Sequence, residues 1–144
     1  MAMFLYFLIV NIFWVEITQG MMTNAQIEAT QRMVRRACKS KMKIASDDEL
    51  DGMLNGKWDN LSSASLCYLH CCLKMIKMVT GDGHVDYDST LKQINNLPEP
   101  KRHLLAEGLD NCKDEGKSLT DKCEIAYKIC KCFYYNNPEA YIIP

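Results

Sequence analysis

One short stretch of the chain concentrates reactive side chains. Cys67, His70, Cys71 and Cys72 lie within the six residues CYLHCC. Thiols can form disulfides or bind zinc, and histidine can act as a general base or a metal ligand. On a helix, adjacent residues point about 100° apart, so Cys71 and Cys72 cannot face the same partner surface. The stretch therefore predicts that its sulfurs have different roles.

The first twenty residues predict where the protein is located. MAMFLYFLIVNIFWVEITQG is an apolar run closed by short polar residues. Such a run is typical of a secretory signal peptide, with residues 21–144 left as one domain. The alternative is an N-terminal membrane anchor, but Glu16 interrupts the run too early for a membrane span. We therefore expect residues 1–20 to be a signal peptide and the protein to be extracellular, without stable membrane insertion.

Composition narrows the class of protein further. The 144 residues carry 17 Lys and Arg against 18 Asp and Glu, a net charge of -1, and these charges are scattered along the chain. Without a basic stripe, we expect no nucleic-acid partner. The chain also contains eight cysteines, all after Met21. A small secreted chain with this many cysteines is expected to be held together by disulfides.

The stretch from Cys67 to Cys72 gives little indication of a catalytic or metal-binding site. His-Cys-Cys is similar to a motif of the secreted phospholipases A2, but that enzyme needs an aspartate directly after the histidine and a glycine-rich calcium loop upstream. Here Cys71 follows His70, and no such loop precedes it. A zinc site from the C-x3-C-C and C-x-C clusters is the other alternative, but secretion favours oxidation over thiolate coordination. We expect no enzymatic activity, no metal and no cofactor.

Helical patterns dominate the chain, and apolar alternation typical of strands is missing. Ser46 and Glu49 predict a capping box at the second helix, and Thr120 is the predicted N-cap of the sixth. The third helix has apolar residues on two sides, which predicts a position near the centre of the domain. Six helices are predicted, beginning near Thr23, Ser46, Ser63, Asp86, Pro100 and Thr120.

The cysteine spacing gives the most specific indication of a family. Six cysteines follow the pattern Cys38-x28-Cys67-x3-Cys71-x40-Cys112-x10-Cys123-x8-Cys132. This spacing, with six helices behind a signal peptide, resembles the insect odorant-binding proteins of the PBP/GOBP family over essentially the whole domain. The resemblance implies an all-α, six-helix, disulfide-stapled domain that encloses a central apolar cavity. It also implies the pairs Cys38–Cys71, Cys67–Cys123 and Cys112–Cys132.

Cys72 and Cys130 depart from the six-cysteine pattern. A fourth disulfide between them would keep the number of paired cysteines even. However, Cys72 is about 140° around its helix from Cys67, whereas Cys130 lies on the Cys123 side of the last helix. Two buried free thiols are therefore a second interpretation. A pairing in which Cys72 replaces Cys71 is the third.

The apolar faces of several helices supply the candidate ligand contacts. We expect a cavity of about 300 to 1,000 Å³ that holds a ligand of about 10 to 20 heavy atoms, such as a terpenoid, ester or fatty alcohol. No internal Arg or Lys that would demand a carboxylate is apparent, and Tyr127 or Tyr141 could donate one hydrogen bond. The C-terminal AYIIP is expected to pack into the pocket wall. The predicted ligand contacts are Val34, Leu69, Leu73, Met78, Val85, Leu91, Ile94, Leu105, Leu109, Ala126, Cys130, Phe133, Tyr141, Ile142 and Ile143.

Two functions from different classes follow from these observations. The first is a secreted carrier of small hydrophobic molecules, odorants or pheromones, in sensillum lymph or another extracellular fluid. The second is a secreted scavenger or interaction protein on the same scaffold. The partners expected are a small hydrophobic ligand and a chemosensory receptor, with the protein itself a monomer or a weak homodimer.

The sequence N-L-S and the three histidines each have a functional and a purely structural interpretation. Asn60 begins an N-L-S glycosylation sequon, although Ser62 could simply cap the third helix. His70, His84 and His103 are expected at the surface, or else they could drive ligand release at low pH. Trp58 is expected to be a packing anchor.

Overall fold

The computed structural model describes residues 20–144, so the expected signal peptide lies outside the described residues except for Gly20. Six α-helices follow one another along this part of the chain, as predicted. In this range the only β-type pairing is an isolated antiparallel bridge between Val79 and Val85. The helices are α1 (Asn24–Lys41), α2 (Asp48–Leu54), α3 (Ser63–Met75), α4 (Tyr87–Ile94), α5 (Lys101–Cys112) and α6 (Lys122–Asn136).

Helix α3 lies at the centre of the domain, as its two apolar sides predicted. It packs most extensively against α6 and also against α1, whereas α6 and α4 both contact α5. Tyr68, Cys72 and Leu73 are completely buried. Met75, the last residue of α3, is exposed. A helix covered on two sides can be joined covalently to two neighbours.

Three disulfides make those covalent connections. Cys38 on α1 is bonded to Cys71 on α3, and Cys67 on α3 is bonded to Cys123 on α6. The third bond joins Cys112 at the end of α5 to Cys132 on α6. These are the same three pairs that the family resemblance implied. Together they connect α1, α3, α6 and α5 in series.

Charged and polar side chains hold α2 against its neighbours. Asp47 accepts hydrogen bonds from Arg35 and Lys39 of α1 at 3.0 and 2.7 Å, and these cations lower the pKa of its carboxyl group. The predicted capping box between Ser46 and Glu49 does not form. The N-cap is Asp47, and Glu49 instead accepts from the backbone N–H and the hydroxyl of Ser62. The glutamate of the predicted capping box therefore joins α2 to the N-cap residue of α3.

Trp58 anchors the loop before α3, as expected. It is buried against the aromatic rings of Tyr127, Tyr134 and Tyr141, with ring centroids 5.6–6.3 Å apart. The hydroxyl of Tyr127 donates to the carbonyl of Trp58 at 2.8 Å. The cluster connects this loop to α6 and to the C-terminal segment.

The N-cap of α6 is Asp121 rather than the predicted Thr120. Its carboxylate accepts from the backbone N–H groups of Cys123 and Glu124 at 2.8 and 3.0 Å. We expect Asp121→Ala to lower the free energy of unfolding by about 1 kcal/mol because two N–H groups lose their partner. Thr120→Ala, one residue away at an exposed position, is the matched control and should change stability little. Urea denaturation of both variants tests this, and equal effects would contradict the assignment of the cap.

Candidate ligand-binding cavity

An apolar cavity of about 100 Å³ lies between the helices and the two ends of the described chain. Its wall comes from α1, α4, α5 and α6, the residues after α3, and the segments that flank the six helices. Apolar side chains dominate it, and no charged side chain takes part among the described residues. The wall consists of Met22, Ile27, Thr30, Gln31, Val34, Ile76, Met78, Gln93, Ile94, Leu97, Leu105, Phe133, Tyr141, Ile142, Ile143 and Pro144.

The C-terminal residues 139–144, here called the tail, form one side of the cavity. Ala140 and Ile143 are buried, at 1% and 2% exposure. The tail is also held by polar contacts: Gln31 Nε2 donates to the carbonyl of Ile142 at 2.9 Å, and the Tyr68 hydroxyl donates to the carbonyl of Pro144. The tail is therefore a packed part of the domain.

The residues directly before α1 form another part of the cavity wall. Met22 lies in the wall, and its backbone N–H donates to the carbonyl of Asn96 at 2.7 Å, directly after α4. Thr23 then caps α1 through a reciprocal pair of hydrogen bonds with Gln26. The wall thus includes residues that immediately follow the expected cleavage point after Gly20.

Eight of the predicted ligand contacts lie in the cavity wall. Four of these residues lie on helices and three in the tail, whereas Met78 lies in the segment after α3. As ligand contacts they remain predictions. They are Val34, Met78, Ile94, Leu105, Phe133, Tyr141, Ile142 and Ile143.

The other seven predicted contacts lie outside the wall. Leu69, Leu73, Leu109, Ala126 and Cys130 are buried in the core between helices, and Val85 and Leu91 are half-buried. The physical reason is that helical periodicity marks an inward face but does not tell whether that face meets another helix or an open space. The volume was also overestimated, since the cavity is smaller than the expected 300 to 1,000 Å³.

Several wall residues were absent from the predicted contacts. Ile27 could have been found, because it lies on the same α1 face as Val34. Ile76 lies in the wall as the C-cap of α3. Gln31 and Gln93 are polar residues with no apolar pattern, so no sequence feature indicated them.

Two buried thiols lie close to this region. Cys72 and Cys130 are unbonded and completely buried, as in the interpretation with two free thiols. Burial raises the pKa of Cys72 to about 12, although the Tyr68 hydroxyl and Arg35 act in the opposite direction. Burial also raises the pKa of Cys130 well above its ordinary value. The hydroxyl of Tyr141 lies beside Cys130, and burial followed by this thiol raises the pKa of Tyr141.

These thiols are expected to be unreactive in the folded protein. The thiolate is the nucleophilic form, so a raised pKa and burial both suppress its reaction. We expect no reaction with Ellman's reagent at pH 8 in buffer, and two thiols per chain in denaturant. Gly81→Cys, at an exposed position with open space around it, is the control that should react at once in the folded state. A result of no thiols in denaturant would establish a fourth disulfide instead.

The histidines do not take part in the cavity wall. His103 is exposed and His84 half-buried. His70 is also half-buried, and burial, followed by the nearby Lys122, Lys74 and Lys41, lowers its pKa. Because the folded state binds this proton less readily than the unfolded state, His70 should reduce stability as the pH falls below about 6.5. Release of a ligand at low pH remains a prediction without an assigned residue.

The loop before α3 has the geometry of a capped turn. Asn60 is exposed with a φ of 57°, and the Ser62 hydroxyl accepts from the Ser65 backbone N–H at 3.3 Å as the N-cap of α3. The capping interpretation of Ser62 is therefore correct, and glycosylation of Asn60 remains a prediction.

Residues 20–144 contain neither a cluster of metal-binding side chains nor a membrane-spanning helix. No group of three or more His, Cys, Asp or Glu side chains is arranged to hold a metal ion there. Within the same range, no helix is both long and apolar enough to span a membrane.

Residues 20–144 thus form an all-α domain with three serial disulfides and an apolar cavity that can hold a small ligand. The profile of the PBP/GOBP family matches residues 20–136, and the chain belongs to this family. It is 36% identical over 118 residues to general odorant-binding protein 72 of Anopheles gambiae, an alignment that covers 81% of this chain and 95% of that protein.

Solved structures show the same similarity. Odorant binding protein 4 of Chrysopa pallens superimposes with a TM-score of 0.78 at 31% identity, covering 86% of this chain and 100% of the other. Odorant binding protein 5 of Apis mellifera gives a TM-score of 0.75 at 26% identity, with coverages of 86% and 99%.

Proposed function

We propose that the protein is a secreted carrier that binds small hydrophobic molecules, odorants or pheromones, and transports them in extracellular fluid. The observation that supports this most directly is the apolar cavity, whose wall joins four helices to the tail. The relatives named above are odorant-binding proteins, which favours transport over catalysis. Because no charged side chain of residues 20–144 lines the cavity, the binding energy comes mainly from burial of apolar surface.

Ligand binding enlarges the cavity. A volume of about 100 Å³ is smaller than the 300 to 1,000 Å³ range of sites for drug-sized ligands. A ligand of ten or more heavy atoms therefore displaces part of the wall. Met78 accommodates some of this change because methionine is unbranched and flexible. The tail accommodates the rest by giving up part of the packing and hydrogen bonding that hold it against the domain.

The proposed function includes secretion of the protein and delivery of its ligand to a partner. Residues 1–20 are removed as a signal peptide, leaving Met21 as the first residue of a domain whose wall begins at Met22. The carrier acts as a monomer or a weak homodimer and delivers its ligand to a chemosensory receptor.

Binding of a fluorescent probe tests the function. The full chain is expressed in insect cells, and the protein is recovered from the medium; its mass should correspond to residues 21–144. N-phenyl-1-naphthylamine should bind with enhanced fluorescence, and small volatile alcohols and esters should displace it. Displacement only by large non-volatile dietary compounds would favour the scavenger alternative. Absence of probe binding by the folded, secreted protein would refute the carrier function.

A further inference from the structure

The polar side chains of the cavity wall suggest which chemical class of ligand it accepts. Four wall residues carry polar groups: Thr30 and Gln31 on α1, Gln93 on α4, and Tyr141 in the tail. All four are uncharged at neutral pH. A ligand with one polar group must therefore be matched by neutral hydrogen-bond donors and acceptors.

These side chains keep unused hydrogen-bonding capacity. The Thr30 hydroxyl donates to the Gln26 carbonyl at 2.9 Å, so its oxygen can still accept. Gln31 uses one N–H on the carbonyl of Ile142 and keeps a second N–H and its amide oxygen. Gln93 is half-buried, and its amide forms no hydrogen bond with the described part of the chain. The wall can thus both donate to and accept from a ligand.

Two arginines on helices that line the cavity are engaged in ion pairs outside its wall. Arg35, one helical turn beyond Gln31, donates to Asp47 at 3.0 Å and to Asp51 at 2.5 Å. Arg102 on α5 is paired with Glu99 at 2.7 Å. Neither is free to neutralise an anion in the cavity. An ionised carboxylate entering it would lose its hydration without gaining a counter-ion.

We propose that the cavity selects neutral oxygenated ligands, namely alcohols, aldehydes and esters, over carboxylates of the same chain length. The amides of Gln31 and Gln93 act as the specificity-determining groups. The inference rests on the proposed carrier function and specifies its ligand class. A neutral oxygen gains a hydrogen bond in the wall, whereas a carboxylate leaves a charge buried and unpaired.

Competition with three ligands of matched length tests the inference. 1-Decanol, methyl decanoate and decanoate are each used to displace N-phenyl-1-naphthylamine from the secreted protein at pH 8, where the acid is ionised. The alcohol and the ester should bind at least about tenfold more tightly than decanoate. Equal affinity for all three would overturn the inference but leave the carrier function intact. Failure of all three to displace the probe would overturn both.

A second experiment introduces a positive charge into the cavity wall. Gln93→Lys places a cation in the wall and should shift the ratio of affinities towards decanoate by about tenfold. Asn95→Lys adds the same charge at an exposed position two residues away and should leave the ratio unchanged. Gln93→Leu should weaken decanol binding a few-fold, and by more than it changes binding of the apolar probe, because only the alcohol loses a hydrogen-bond partner in the wall. An identical shift in the two lysine variants would overturn the role of Gln93.

Discussion

Replacing Cys67 and Cys123 together by alanine is expected to lower the free energy of unfolding by about 4 kcal/mol. Their disulfide has a sequence separation of 56, the longest of the three, so its loss frees the most conformational entropy in the unfolded chain. It also joins α3 to α6, the helix pair with the most extensive contact. A loss of this size lowers the folded-to-unfolded ratio about a thousandfold and the melting temperature by on the order of 10 to 20 °C.

Thermal and urea unfolding measure this effect under non-reducing conditions. Cys72→Ala is the matched control, because it removes one buried sulfur and breaks no disulfide; about 1 kcal/mol is expected for it. Cys112→Ala with Cys132→Ala should cost about 3 kcal/mol, in keeping with its sequence separation of 20. If the first pair of substitutions cost no more than Cys72→Ala, the long loop would not be a main source of stability.

Deletion of residues 139–144 is expected to weaken binding of a hydrophobic fluorescent probe by at least about tenfold. The deletion removes Tyr141, Ile142, Ile143 and Pro144 from the cavity wall. A tenfold loss corresponds to about 1.4 kcal/mol, which is the contribution of only about 60 Å² of apolar contact. We expect contact between the bound probe and the side chains of Tyr141, Ile142 and Ile143 to supply an area of this order.

A deletion can also act by unfolding the domain, so a milder variant accompanies it. Ile143→Ala keeps the backbone carbonyls that accept from Gln31 and Tyr68, and it should weaken probe binding by a few-fold. Glu139→Ala, at an exposed position in the same tail, should leave affinity unchanged. Unchanged affinity in a deletion variant that still melts cooperatively would show that the tail is not part of the binding site.

Much of the fold follows from sequence because its determinants are local or covalent. Helical periodicity located six helices, and the intervals between cysteines carried the family resemblance that implied the disulfides. Helix ends were less predictable. Thr120 and Asp121 both favour an N-cap, and only the backbone conformation selects Asp121. Glu49 fits a local capping box, but Ser62, thirteen residues later, takes its carboxylate in the folded chain.

The cavity was less predictable because an enclosed space depends on how helices pack. Val34 and Leu69 both belong to apolar helix faces and are almost fully buried, yet only Val34 borders the cavity. Polar wall residues such as Gln93 resemble surface positions in sequence. The tail was an exception, since its apolar residues follow Pro138 and have no helix of their own in which to be buried.

The disulfides also have a consequence for the covalent integrity of the chain. The bond from Cys38 to Cys71 overlaps the one from Cys67 to Cys123, which in turn overlaps the one from Cys112 to Cys132. Every peptide bond between Cys38 and Cys132 is therefore spanned by at least one bridge. A protease that cuts the backbone once anywhere in this interval yields two pieces that stay joined. In an extracellular fluid that contains proteases, a nicked molecule would remain one particle until its disulfides were reduced.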